Sequence, residues 1–162
     1  MKFTIDREAL LKSISHAQSI VERRNTIPIL ANVLLRAEEN GLVEITATDM
    51  DIGIIEKVPA GVAQAGAVTV PAHTLFEIVR KLEDGAQIEL GGASESGQIE
   101  LRSGRSSLKL STLPSEDFPT VSQEDLPTEF FISADLLRSL IDRTRFAIST
   151  EETRYYLNGI YL

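Results

Sequence analysis

Residues 3–14 run Phe-Thr-Ile-Asp-Arg-Glu-Ala-Leu-Leu-Lys-Ser-Ile. Two alternating apolar positions are followed by apolar positions three and four apart. Period two marks a half-buried strand, and a spacing of three to four marks an amphipathic helix. Phe3 and Ile5 therefore predict a short strand and Asp6 a helix start. Leu10, Leu11, Ile14, Ala17 and Val21 predict the inward stripe of a helix over about 7–21. Arg23, Arg24 and Asn25 end that helix, and Pro28 bars its continuation. The same pattern returns at 68–79, where Val68 falls on Phe3 and Leu75 on Leu10 without a gap. A third, less regular copy occupies 130–141, with Ser133 at the helix start. A unit repeated about every 65 residues organises the chain.

Strands are predicted over 29–37, 42–48 and 50–57 after the first helix, with Asn40 and Gly41 as a two-residue hairpin turn. A Gly/Ala/Pro-rich link at 59–66 leads to a strand at 68–70 and a helix over 72–82 that turns Leu75, Phe76, Val79 and Leu82 inward. Strands near 87–90, 98–102 and 107–112 complete the second half. The predicted fold is α+β: a doubled β-α-β-β-β unit over 1–114, with halves of about 1–58 and 67–114. Residues 115–129 form an acidic linker whose prolines resist helix and whose Phe118 is expected to anchor on a neighbouring surface. From 130 the pattern restarts: a strand at 130–132, a helix over 134–147, and 155–162 matching 28–35 as a strand. On this pattern 130–162 is expected to be the truncated start of a second domain, and the chain a piece of a longer protein.

Composition adds exclusions. The 162 residues include no cysteine, which removes disulfides and thiolate metal sites. The charged N-terminus lacks a signal peptide's apolar run, and no stretch approaches the ~20 apolar residues of a membrane span, so the expected location is cytoplasmic. The net charge of −8 argues against nucleic acid until its distribution is considered. The helical segments 7–24, 72–82 and 134–147 hold nine Lys/Arg against five Asp/Glu, while the remainder holds seven against nineteen. The helices are basic and everything else is acidic.

Catalytic constellations are missing from the sequence. Neither phosphate-binding glycine motif occurs, nor a nucleophile elbow. His16 and His73 lie on separate helices without ligand spacing, and His16 is expected to be a surface residue. Asp49 and Asp51, near Glu44, form the best carboxylate cluster. They support an alternative reading as a metal-dependent enzyme, although a polar turn explains them more simply. Three features suit binding. Arg23 and Arg24 sit at a helix C-terminus, where a phosphate could be met. Arg154, Tyr155 and Tyr156 couple a cation with two aromatics. Residues 102–110 form a strand of mixed polarity suited to an edge that pairs with another chain. A protein-only scaffold is the other competing reading.

Seven segments, in order, carry a resemblance: the opening Met-Lys-Phe-Thr-Ile, Asn25-Thr-Ile-Pro-Ile-Leu-Ala-Asn32, Thr48-Asp49, Val70-Pro-Ala72, Arg102-Ser-Gly-Arg105, Leu113-Pro-Ser-Glu-Asp-Phe-Pro119 and Arg154-Tyr-Tyr-Leu-Asn-Gly159. Together they resemble the bacterial sliding clamp family, the beta subunit of DNA polymerase III. The resemblance implies a DNA-clamp fold of similar domains, each a doubled unit, and a homodimeric ring with helices lining the hole. It implies sequence-independent binding of double-stranded DNA, no catalysis and no cofactor. The implied partners are a second clamp subunit, a clamp loader, the polymerase III catalytic subunit and other clamp-binding proteins. By position it assigns Arg24, Tyr155 and Tyr156 to DNA, and helix position adds Arg80, Arg138 and Arg143. Ile78, Leu82, Arg105, Leu108 and Leu110 match the subunit interface, where Ser107 stands in place of a basic residue. Arg154 and Leu157 match the rim of a pocket for partner peptides.

Overall fold

The computed structural model describes residues 1–21, 26–92, 97–119 and 130–161. Its chain divides into two units, Met1–Val121 and Ser122–Leu162.

In the first unit, β1 (Lys2–Asp6) buries Phe3 and Ile5 and ends at Asp6. The Asp6 carboxylate caps α1 (Arg7–Ile20) by accepting from the Glu8 and Ala9 N–H groups at 2.9 and 3.3 Å. The chain continues through β2 (Asn32–Ala37), β3 (Leu42–Thr48), β4 (Gly53–Pro59), β5 (Gly61–Gln64) and β6 (Gly66–Pro71). Then follow α2 (Ala72–Lys81), β7 (Gln87–Gly91), β8 (Gln98–Ser103) and β9 (Ser106–Ser111).

The strands form two antiparallel sheets, ordered β5-β1-β7-β8-β9 and β4-β3-β2-β6. Each half of the repeat contributes its first strand to the other half's sheet. β1 pairs with β7 through Phe3–Leu90 and Ile5–Ile88, and β6 pairs with β2 through Val70–Val33 and Val68–Leu35. The repeat is therefore an exchange in which neither half closes its sheet alone. The matched positions share one core: Phe3 with Val68, Ile5 with Val70, Leu10 with Leu75 and Ile14 with Val79 are all buried in a single cluster.

Four local expectations are corrected. The link at 59–66 contains β5, which pairs with β1 through Val62–Phe3 and Gly61–Thr4; the pairing partner, not local propensity, makes it a strand. Pro28 opens a 3-10 turn, Pro28–Ala31, so the strand expected from 29 begins at Asn32; Ile29 and Leu30 are buried without being in a strand. The strand expected from 50 begins at Gly53 because Asp49 folds 49–52 into a turn. Asn40 and Gly41 close a four-residue loop, 38–41. Only Gly41 takes positive φ (82°) there, while the Asn40 side chain accepts from the Leu42 N–H at 3.0 Å.

In the second unit, Ser133 caps α3 (Ala134–Thr144) by accepting from the Leu136 N–H at 3.3 Å, and a 3-10 turn, Arg145–Ala147, continues it. Residues 130–132 form no strand among the described residues, and the strand expected from 155 is replaced by 3-10 turns over Glu152–Leu157, broken by a kink at Arg154 (φ −115°, ψ 46°). Yet the matching of 155–157 to 28–30 survives, since both stretches are 3-10 turns. Leu136, Leu140, Ile141 and Phe146 are exposed.

Candidate nucleic-acid interface

Leu10, Ser13, Ile14 and Ala17 of α1 and Ala72, Leu75 and Val79 of α2 point into the core. The opposite faces carry Lys12, His16 and Ser19, and Thr74, Arg80 and Lys81, all exposed. The two helices run antiparallel, and each start fastens the other's end. The Arg7 guanidinium, at the start of α1, donates from Nε to the Val79 carbonyl (3.1 Å) and from NH2 to the Arg80 carbonyl (3.0 Å), and meets Asp84 at 2.7 Å. His73, at the start of α2, donates from Nε2 to the Val21 carbonyl at the end of α1 (2.9 Å), while its Nδ1 faces the Gln18 side-chain amide at 3.1 Å. A helix C-terminus offers unpaired carbonyls and a partial negative charge, so donors there satisfy both.

Sequence reasoning missed both roles. Arg7 falls on Ala72 in the repeat, and a cation at a helix start opposes that helix's own dipole; the signal was its misplacement. His16 is more than a bare surface residue, since its Nδ1 lies 2.6 Å from Glu56 Oε1 on β4. Burial raises the Glu56 pKa, but hydrogen bonds from Ser13 and His16 outweigh it and hold the carboxyl below its ordinary range.

The expected DNA contacts are distributed as follows. Arg24 lies outside the described residues. Arg80 is exposed, 2.7 Å from Glu77 and stacked over the Phe76 ring at 5.6 Å. Arg138, 3.8 Å from Asp142, and Arg143 are exposed on α3. Tyr155 and Tyr156 lie in the Glu152–Leu157 turn, with the Tyr156 ring largely exposed. Arg154 sits in the same turn, 3.0 Å from Glu151, and Leu157 is exposed there.

Of the expected interface residues, Leu82 and Arg105 line one groove between the end of α2 and the β8–β9 turn, with Lys81, Glu83, Ala86 and Ser106. Ile78 is half-buried against the core, and Leu108 is exposed on β9, an edge strand. Leu110, opposite Ile99 on the neighbouring strand, is 3% exposed and packs with the core of this chain. The Ser107 hydroxyl is turned to the Glu100 carboxylate, which Arg102 also meets at 2.7 Å. Asp49, a candidate metal ligand on sequence grounds, accepts instead from the Asp51 and Ile52 N–H groups at 3.0 and 2.7 Å, holding the turn that carries Met50 at φ 85°. Among the described residues, no group of three His, Asp or Glu side chains could hold a metal ion.

Residues 1–122 match the family described as DNA polymerase III beta subunit, N-terminal domain. The chain belongs to this family. It is 52% identical over 162 residues to a beta sliding clamp of Caulobacter vibrioides, covering 100% of this chain and 43% of that protein. Against a beta sliding clamp of Pseudomonas aeruginosa it is 42% identical over 163 residues, covering 100% of this chain and 44% of that protein. The solved structure of Caulobacter crescentus pol III beta superimposes with a TM-score of 0.92 at 52% identity, over 99% of this chain and 43% of that one. The chain thus spans less than half the length of the curated relatives it matches. At that similarity the chain shares the α+β clamp fold of the solved structure.

Proposed function

We propose that this chain supplies the N-terminal part of a DNA sliding clamp, a ring that encloses duplex DNA and tethers the replicative polymerase. The observation that carries the reading is similarity to beta sliding clamps along the whole chain, not in one motif. Two antiparallel helices turning a polar face outward support it, because a ring must meet phosphates without reading bases. Arg24, Tyr155, Tyr156, Arg80, Arg138 and Arg143 are the proposed DNA contacts. Arg80 would exchange Glu77 for phosphate; an exposed pair of this kind is worth only about 0–1 kcal/mol. Ile78, Leu82, Arg105 and Leu108 are the proposed subunit interface. Arg154 and Leu157 form part of the rim that receives peptides from the loader and polymerase. The clamp performs no chemistry; tethering raises the polymerase's effective concentration at the primer end. The cytoplasm is the proposed location, and no helix among the described residues is long and apolar enough to cross a membrane. The metal-enzyme alternative meets Asp49 already engaged by two backbone N–H groups.

A chimera tests this reading. Residues 1–162 replace the matching 43% of the Caulobacter relative, and affinity is measured on two unrelated duplexes across a salt series. Arg24→Ala should weaken both equally and flatten the log–log salt slope by about 0.9 for each phosphate that is no longer neutralised. An unchanged slope, or weakening on one sequence alone, would refute Arg24 as a backbone contact. No DNA binding at any salt would favour the protein-only scaffold.

A further inference from the structure

After β9 the chain crosses to the outer face of the four-stranded sheet. That face, away from the helices, carries Leu34 and Thr69, register partners that alternate with the buried Val33, Leu35, Val68 and Val70. Thr69 is 0% exposed. Its hydroxyl donates to the Leu113 carbonyl (2.8 Å) and accepts from the Leu113 N–H (2.9 Å) and the Asn32 side-chain amide (3.1 Å). One donor and two acceptor sites are all in use, so the hydroxyl is saturated. Five residues on, the Phe118 ring is buried in a small cluster with Ile29, Leu30 and Leu34, against Ala67 and apart from the main core. One 3-10 turn, Ser115–Asp117, spans the gap between these points. The repeat supplies a comparison. Thr4 falls on Thr69, and it pairs with Gly61 of β5, the segment that crosses between sheets in the first half. That crossing is held by a backbone ladder; the second, once the Thr112 N–H has met the Gly97 carbonyl at 2.9 Å, is held among the described residues by one hydroxyl and one ring.

We infer that residues 113–119 form a strap that opens as a unit while both sheets stay folded, with Thr69 as its latch and Phe118 as its plug. Local openings of this kind draw on the least-fastened segments of a fold. Opening uncovers Leu30 and Leu34 and frees seven residues, about 23 Å of extended chain, for whatever follows. In the clamp reading, on which only this consequence rests, the strap sets the slack at the first domain's exit, so the following part can shift without unfolding it.

Amide exchange on the 162-residue chain tests the opening without DNA. The Leu113 and Phe118 amides should exchange at least tenfold faster than those of the β2–β6 ladder. Thr69→Val should speed the strap amides a further tenfold or more and leave the ladder unchanged. Thr69→Ser, which keeps the hydroxyl, should behave as wild type, and Phe118→Ala should behave as Thr69→Val. Strap and ladder exchanging in step in the wild type would overturn the inference, as would equal acceleration by Ser and Val. Should Thr69→Val fail to fold, Phe118→Ala decides alone, and unchanged strap exchange there overturns it. A clamp reading refuted by the DNA experiment would leave these outcomes untouched.

Discussion

Leu75→Ala is expected to destabilise the first unit by about 2–5 kcal/mol, and Leu10→Ala by a similar amount. Both side chains are 0% exposed and occupy matched positions on the two helices. Each removes the transfer energy of a buried isobutyl group and leaves a cavity that a close-packed core refills only in part. The loss is a large share of the ~5–15 kcal/mol that holds an ordinary domain together. The two sites share one cluster, so the double variant should depart from additivity. Urea unfolding measures this, with Lys12→Ala on the exposed face as the reference, expected within about 0.5 kcal/mol of wild type. A cost below about 1 kcal/mol for either leucine would mean that the helices do not seat on the exchanged sheets as described.

Arg7→Ala should cost about 1.5–3 kcal/mol, more than the about 0–1 kcal/mol of an ordinary exposed ion pair. The Arg7 side chain is 11% exposed, while that of Asp84 is 87% exposed. The pair itself therefore contributes little, and the cost comes from the end of α2, where the Val79 carbonyl keeps only the Leu82 N–H at 3.3 Å and the Arg80 carbonyl loses its Arg7 donor. Two controls separate these sources. Asp84→Ala should cost under about 1 kcal/mol, and 0.5 M salt should leave the Arg7→Ala difference nearly intact, because salt screens exposed charges and not short, half-buried hydrogen bonds. Arg7→Lys should rescue only in part, since an ammonium lacks the planar fork that reaches two carbonyls and a carboxylate together. Equal costs for Asp84→Ala and Arg7→Ala would assign the effect to the ion pair.

Much of this was legible in the sequence because the deciding signals are local. The strand-then-helix pattern at 3–14 and 68–79 located both helices to within about one residue. The separate matching of 155–162 to 28–35 predicts a strand at both places, and the structure has 3-10 turns at Pro28–Ala31 and Glu152–Leu157 instead. A buried 3-10 turn carrying Ile29 and Leu30 shows the apolar density of a strand, and periodicity over three residues cannot separate the two. What stayed hidden depends on partners distant in the chain. β5 exists because β1 offers it an edge. Leu110 and Leu108 lie two residues apart on one strand face, yet only Leu110 is covered, which alternation cannot foresee. Arg7 and His73 gained their roles when the antiparallel packing of α1 and α2 brought each start to the other's end. At the proposed site, position in the family supplied residue identities that chemistry alone could not, since an arginine on a helix looks the same whether it meets phosphate or water.

Enclosure of DNA is the central claim, and topology tests it most directly. The chimera carrying residues 1–162 in the Caulobacter relative would be threaded onto linear duplex, the duplex ligated into circles, and the complex passed through a sizing column in high salt. Charge attraction to phosphate fades at high salt, but a closed ring on a closed circle cannot leave. The account predicts that protein elutes with circles and is released when a single cut linearises them. Protein absent from the circles, or retained equally after the cut, would contradict it.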